Sequence, residues 1–335
     1  MRQFRISDFE IRISRVAICI VALALGLFAV PLAADAQAKR PYRIGVLHTG
    51  FLSNTPAVEG LRTGLQALGF EEGRDVTFDI RSAKGDVQLA KTMAAALAEA
   101  GVDLIFAESE YAARAAKAVT QTIPIVFMFV GDPVAAGLVA SVPHPGGNLT
   151  GVSSLATELT PKRLEIFKAV YPNLRRVWAV YHVDDLSSAA ATHKAGEVAP
   201  LLKLDLVTRA VSTPEELVSH LKALRSGDGL LSPPANTMNI PGIILDLELM
   251  ARWPAIFYMG FWVEAGGVVS YGSDLKADAA QAARLVARIL RGDRPQDLPV
   301  EGSNKIELSI NMKTAKSLGI TIPPEISVRA DRVIQ

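Results

Sequence analysis

From Tyr42 onward, short apolar runs alternate with longer stretches in which apolar residues recur every three or four positions. The runs YRIGVL (42–47), VTFDI (76–80), VDLIFA (102–107) and IPIVFMFV (123–130) predict strands. Between them, TPAVEGLRTGLQALGF (55–70), DVQLAKTMAAALAEAG (86–101) and EYAARAAKAVTQ (110–121) predict helices. The first of these has Ser53, Asn54 or Thr55 available as N-cap, Pro56 in its first turn and Gly69 at its end, the punctuation of a helix that starts and stops in place. Short strands separated by helices build βαβ units and a parallel sheet. Strands this uniformly apolar need cover on both faces.

The same alternation restarts near residue 159. LTPKRLEIFKAVYP, RRVWAVY, LSSAAATHKAGEVAPLL, DLVTRAV and TPEELVSHLKAL read in turn as helix, strand, helix, strand and helix, the last opened by Thr213 with Glu216 as a capping box. GLLS, IPGIILDLELMARW, PAIFYM and GVVSYG continue the series, and LKADAAQAARLVARILRG (275–292) is the most regular helix in the chain. DRPQDLPVEGSN (293–304) reads as an exposed connector, KIELSIN as a strand and MKTAKSLG as a short helix, and no element is assigned after Pro323-Pro324. The expected fold is therefore α/β, with two doubly wound parallel-sheet lobes. Ligands of such sheets bind at the carboxyl ends of the strands, where strand order reverses.

The first residues follow another rule. Arg2, Arg5, Arg12 and Arg15 precede VAICIVALALGLFAV, an apolar run of about 15 residues, and small residues at Ala34 and Ala36 follow Pro31. That order predicts a signal peptide over 1–36, cleaved near Ala36; the run is shorter than the roughly 20 apolar residues of a spanning helix, the alternative being a retained anchor. The single cysteine, Cys19, lies inside it, so the processed chain carries none, which excludes disulfides and cysteine chemistry. The expected location is periplasmic, across the cytoplasmic membrane.

A chain of 335 residues, half of them hydrophobic, has material for two domains. Its 35 Lys and Arg against 34 Asp and Glu leave a net charge of +1 with no long basic run after residue 38, which argues against a nucleic-acid partner.

The predicted strand ends supply the candidate chemistry. Ser53 and Asn54 follow the first strand, Ser109 opens the helix after the third, and Gly131-Asp132-Pro133 follows the fourth. In the second half Ser187 and Ser188 open a helix, Asn236 lies in SPPANTMN, and Phe261, Trp262 and Tyr271 complete the set. Hydroxyls at helix N-termini suit a carboxylate, Asp132 suits an ammonium, and the aromatics suit an apolar side chain: an amino-acid-sized ligand. Each serine alone also reads as a plain N-cap, Asp132 as a turn before Pro133, and Phe261 and Trp262 as core, although Gly260 and Gly266-Gly267 around that pair suggest a loop. No G-x-S-x-G, H-E-x-x-H, P-loop or dinucleotide fingerprint is present. Neither a catalytic set, a metal site nor a cofactor is expected.

Gly131-Asp132-Pro133, Gly137-Leu138-Val139, Pro145-Gly146-Gly147-Asn148, VEAGGVVSYGSDL and the run from DLPVE through IPP carry a resemblance. The chain resembles the periplasmic substrate-binding proteins of ABC transporters, in the branch that includes tryptophan- and tyrosine-type members. The resemblance implies a type I periplasmic-binding-protein-like, two-lobe clamp of the three-crossover type, with a ligand cleft between the lobes, that delivers a bound solute to ABC permease membrane subunits; a monomer is expected. The crossings are expected near Gly151–Ser154, near Ser270–Asp274 and near the DLPVE connector. These put 41–152 plus 272–296 in the N-terminal lobe and 153–271 plus 297–335 in the C-terminal lobe. Relatives commonly carry a charged residue and Phe just before VEAGG and a tyrosine pair after SYG, where this chain has Gly260-Phe261-Trp262 and LKADAAQAA. Trp262 suggests an aromatic or branched aliphatic ligand. A ligand-sensing receptor for a signalling partner and a secreted α/β enzyme using Asp132 or Glu264 are the alternatives.

Overall fold

In the computed structural model the described residues are 40–48, 55–232, 244–246, 250 and 252–335. Two sheets carry the architecture. The first has strands β1 (Tyr42–His48), β2 (Val76–Ser82), β3 (Leu104–Glu108), β4 (Ile125–Val130), β5 (Leu149–Ser153) and β11 (Glu301–Gly302) in the order β11-β5-β4-β3-β1-β2, all parallel. β3 and β4 are buried along their whole lengths, as helices on both faces demand. Strand order reverses between β1 and β3, so the ends of these two strands open onto a crevice.

The second sheet begins with β6 (Arg176–His182), β7 (Asp205–Val211), β8 (Asp228–Leu231) and β9 (Ala255–Ile256), parallel in the order β7-β6-β8-β9. Its reversal lies between β6 and β8. A bridge from Phe257 to Ser270 joins it to β10 (Val269–Ser273), which pairs antiparallel with β12 (Ile306–Asn311), and β12 pairs with β13 (Arg332–Ile334). Residues 41–335 form one compact unit, and no described helix is long and apolar enough to cross a membrane.

Local chemistry accounts for most element ends. Thr55 Oγ1 accepts from Val58 N at 3.2 Å to start the helix Pro56–Ala67, and Thr213 caps Pro214–Lys222 through Glu216 N at 3.2 Å while Glu216 reaches back to Ser212 N at 2.7 Å. Helix Pro56–Ala67 packs closely on the alanine-rich helix Leu275–Leu290. A Cβ on Gly60 would stand 2.2 Å from Lys276 O, and one on Gly64 2.6 Å from Ala283 Cβ. The small residues on both partners permit that approach.

Three segments differ from the sequence reading. The connector 293–304 is not simply exposed: Leu298 and Val300 are buried, Thr150 Oγ1 donates to Leu298 O at 2.8 Å, and Glu301–Gly302 form the edge strand β11. Residues 297–302 therefore lie with the first sheet, and the chain passes to the second only between Gly302 and Ile306. The tail holds a short helix, Pro324–Ser327, and β13, because Ile326 and Ile322 find cover in the second lobe's core. The stretch after Tyr258 forms a helical turn, Gly260–Glu264, rather than a loop.

Candidate functional site

The two strand-order reversals face one another, and each brings a helix start with buried acids. On the first lobe, His48 ends β1 directly opposite Glu108 at the end of β3. His48 is fully buried, burial holds its pKa down, and neither ring nitrogen has a hydrogen bond among the described residues. Glu108 accepts from Thr55 Oγ1 at 2.9 Å. Burial pushes its pKa up to about 7, with Thr55 opposing. Ser109 follows at φ +120°, a conformation that L-residues rarely adopt and that persists only where the surroundings enforce it. It caps the helix Glu110–Val119, its Oγ accepting from Ala112 N at 3.2 Å.

Glu110 is the first residue of that helix and is 6 % exposed. Neither carboxylate oxygen makes a hydrogen bond among the described residues. Burial and then the negative charge of Asp185 push it up to about 7, against Ser187 and Arg114, which favour the charged form. Arg114 lies one turn on, 3.8 Å from Glu110, and its Nη1 donates to Asp184 O of the second lobe at 2.9 Å.

On the second lobe, Asp185 caps the helix Leu186–Val198. Its Oδ1 accepts from Ser188 N at 2.8 Å and its Oδ2 from Ser188 Oγ at 2.5 Å. Burial raises its pKa, with the Ser188 bonds opposing. Ser187 Oγ accepts from Asp132 N at 3.1 Å, a bond between the lobes, and the same residue lies close to Glu110. Gly131 makes that approach possible, since a Cβ there would stand 3.1 Å from Ser187 Cβ. Phe129, at φ +58°, stacks on Tyr258 at 5.8 Å between ring centres, where the β4–β5 register shifts. The cleft is thus closed, acidic and backed by aromatic rings.

Behind it lies a buried cation. Arg163, 1 % exposed, donates from Nε to Tyr271 O and from Nη2 to Ala156 O, each at 3.1 Å. It therefore ties the segment that leaves β5 to strand β10. No carboxylate pairs with it among the described residues, and burial lowers its pKa to about 10. Beside it, Thr160, Ser188, Thr192 and Ser232 help line a cavity with about 10 Å³ for the centre of a water-sized sphere, room for a single small occupant.

Of the expected site residues, Ser53, Asn54 and Asn236 lie outside the described residues. Ser109, Asp132, Ser187 and Ser188 come together where the lobes meet. Asp132 also closes its own turn, Oδ1 accepting from Val134 N at 3.0 Å and Ala135 N at 2.9 Å. Phe261 and Trp262 stand apart from that meeting point: Trp262 is buried and stacked on Phe257 at 5.7 Å, and Phe261 meets it edge-on at 5.3 Å. Tyr271 contributes its carbonyl to Arg163. Missing from the expected set are Glu108, Glu110, Asp185, Tyr258 and Arg163. Glu108 and Glu110 stood beside Ser109 in ESEYA, and two acids flanking a helix cap at a strand end were the signal. Arg163 had none, being one basic residue on a helix. Among the described residues no three His, Asp or Glu side chains are grouped to hold a metal ion.

Comparison with known proteins gives this geometry its relatives. The family model described as ABC transporter substrate binding protein matches residues 48–334. A tyrosine-binding protein of Clostridioides difficile (strain R20291) is 27% identical over 264 residues, 78% of this chain and 76% of that protein. An ABC domain from Streptococcus pneumonia, solved in complex with L-Trp, is 27% identical with a TM-score of 0.80, covering 88% of this chain and 100% of that one. A C. difficile substrate binding protein with adhesive properties, solved ligand-free and open, is 25% identical with a TM-score of 0.62, covering 88% of this chain and 99% of that one.

Proposed function

The chain belongs to the family of ABC transporter substrate binding proteins, and on that premise we propose that it captures an amino acid between its lobes, outside the cytoplasmic membrane, and delivers it to an ABC permease. The observation that carries this reading is the direct meeting of the two strand-order reversals, sealed by Asp132 N to Ser187 Oγ and Arg114 Nη1 to Asp184 O. Ligands of such sheets bind at these reversals, and contacts between lobes belong to a clamp that closes on its cargo. At nearly equal identity, the chain superposes better on the L-Trp complex than on the ligand-free, open relative, with TM-scores of 0.80 and 0.62, as a closed clamp should.

The amino-acid class rests on the tyrosine-binding and L-Trp-bound relatives and on the chemistry of the cleft. The helix starts here are capped by Ser109 and Asp185, the acids beside them suit an ammonium, and Phe129 with Tyr258 offers an apolar wall. Closure and opening turn on the three segments joining the sheets: after Ser153, at Asp274 and between Gly302 and Ile306. A few residues at such crossings absorb the backbone change. The protein works as a periplasmic monomer, released after cleavage near Ala36, and binds its solute without converting it.

A thermal-unfolding screen of the processed protein against amino acids, small carboxylates, sugars and nucleosides tests this. A ligand at 100 times its Kd stabilises by about 2.7 kcal/mol, a shift of several degrees at this size. The expected result is a shift with one or a few amino acids, recovered unchanged. Shifts confined to sugars or nucleosides, or conversion of the bound compound, would overturn the reading.

A further inference from the structure

The cleft holds more negative charge than its own residues balance. Glu108 and Glu110 from the first lobe and Asp185 from the second are all buried. Asp132 and Glu158 stand near each other at the same junction, where burial and then Asp132 make Glu158 harder to ionise. Asp185 spends both oxygens on Ser188, Glu108 has Thr55, and Asp132 Oδ1 caps its turn. Neither Glu110 oxygen makes a hydrogen bond among the described residues, although Ser187 lies close enough to favour its charged form. The groups facing it are Asp185 and Ser187 across the cleft and Arg114 on its own helix, with His182 acting on Asp185. Arg114 is already engaged with Asp184 O, and at 3.8 Å it is a distant partner. Burying a carboxylate beside another without a cation or a proton is strongly unfavourable.

We propose that Glu110 is the specificity-determining acid of this cleft, and that the ligand carries a protonated nitrogen which Glu110 accepts as the lobes close. This rests on the amino-acid receptor reading and adds to it the group that decides which solutes are admitted. Closure brings Glu110 and Asp185 together. A ligand that brings a positive charge relieves the cost of that approach, whereas a neutral or anionic solute of the same shape leaves the acids facing each other. The cleft therefore selects against carboxylates and phenols that lack an amine.

The competing way to neutralise Glu110 is a proton, and the pH profile separates the two. If an ammonium fills the site, affinity rises from pH 5.5 to 8 as Glu110 gives up its proton and the ligand keeps its own. If a protonated Glu110 faces a neutral ligand group, affinity falls over the same range.

Isothermal titration of the protein recovered from the periplasm would use L-tyrosine, L-tryptophan, the other amino acids, tyramine, tryptamine and 3-(4-hydroxyphenyl)propionate. The wild type, Glu110→Gln, Glu110→Asp and an exposed control, Glu325→Gln, would be compared. Expected are binding confined to amine-bearing compounds, at least a tenfold loss in Glu110→Gln, partial recovery in Glu110→Asp, no change in the control, and affinity that rises with pH. A matching thermal midpoint for each variant without ligand shows that it has folded. Amino acids that bind Glu110→Gln within twofold of wild type, or 3-(4-hydroxyphenyl)propionate that binds as tightly as L-tyrosine, would overturn the inference and leave the amino-acid reading standing. Binding of tyramine or tryptamine alone, lost in Glu110→Gln, would overturn the amino-acid reading and uphold the ammonium site. No binding by any of these compounds would overturn both.

Discussion

The two ends of the strands treat buried acids in opposite ways. At the amino end of β8, Asp228 is buried, yet Arg176 grips both its oxygens at 2.8 and 2.7 Å, Arg225 N donates at 2.9 Å and Trp178 Nε1 at 3.2 Å. Burial alone would raise its pKa, but these partners outweigh it and hold the carboxyl below its usual range. At the carboxyl ends of β1 and β3, His48, Glu108 and Glu110 are as deeply buried with one hydrogen bond to the three side chains among the described residues, and both acids are pushed up to about 7. A buried charge with all its partners fastens the fold. A buried charge without them is a liability in the folded state that a ligand can relieve. The sheet separates the two kinds because crevices open only at the carboxyl ends.

Removing the gripped acid should have the largest effect. Asp228→Ala leaves Arg176 and two N–H donors unmatched and should lower stability by about 3 kcal/mol, read from urea unfolding at pH 7. A loss under 1 kcal/mol would erase the contrast at its strong end. At the other end the sign reverses. The folded state holds the Glu108 proton more tightly than the unfolded chain, so its stabilising contribution is whole below the ordinary value of 4.5 and lost as pH rises through about 7. Glu108→Gln should therefore be more stable than wild type by roughly 2 kcal/mol at pH 8 and no more stable at pH 4. Thermal midpoints across that range, with the wild type falling more steeply than the variant, in which Glu110 still titrates, would sharpen the comparison; parallel curves would remove it.

Smaller effects test the junction between these acids. Ser187→Ala strips Asp132 N of its acceptor in the other lobe and should weaken closure by about 1 kcal/mol, seen as a larger radius of gyration in small-angle scattering; an unchanged radius would mean that this bond does not help to hold the lobes. Asp132→Asn should cost less than about 0.5 kcal/mol, because an asparagine oxygen can accept from Val134 N and Ala135 N in the same turn. A large loss of stability there would show that the carboxylate charge matters to the fold.

The alternation of elements, the parallel sheets and most helix starts were legible from residue order, because they depend on neighbours within a few positions. Thr213 and Ser109 cap the helices their positions foretold, and of the three candidates before Pro56 it is Thr55 that caps. The connector before Ser303 misled, since DLPVEGSN has the composition of a surface loop while Leu298 and Val300 bury themselves to seat β11 beside β5. Trp262 is the largest side chain in a glycine-flanked stretch, and its burial against Phe257 depends on packing that sequence does not display.

Sequence by itself determined that this chain forms two α/β lobes, and that polar caps and acids would end their strands, since periodicity and capping are local. Only the tertiary structure decided which acids would be satisfied. Asp228 meets Arg176 because β8 pairs beside β6. Glu110 meets Asp185 because two separately folded sheets close on each other. Desolvation and Coulomb energy depend on distance in space, and that distance is set by strand order and closure rather than by position along the chain.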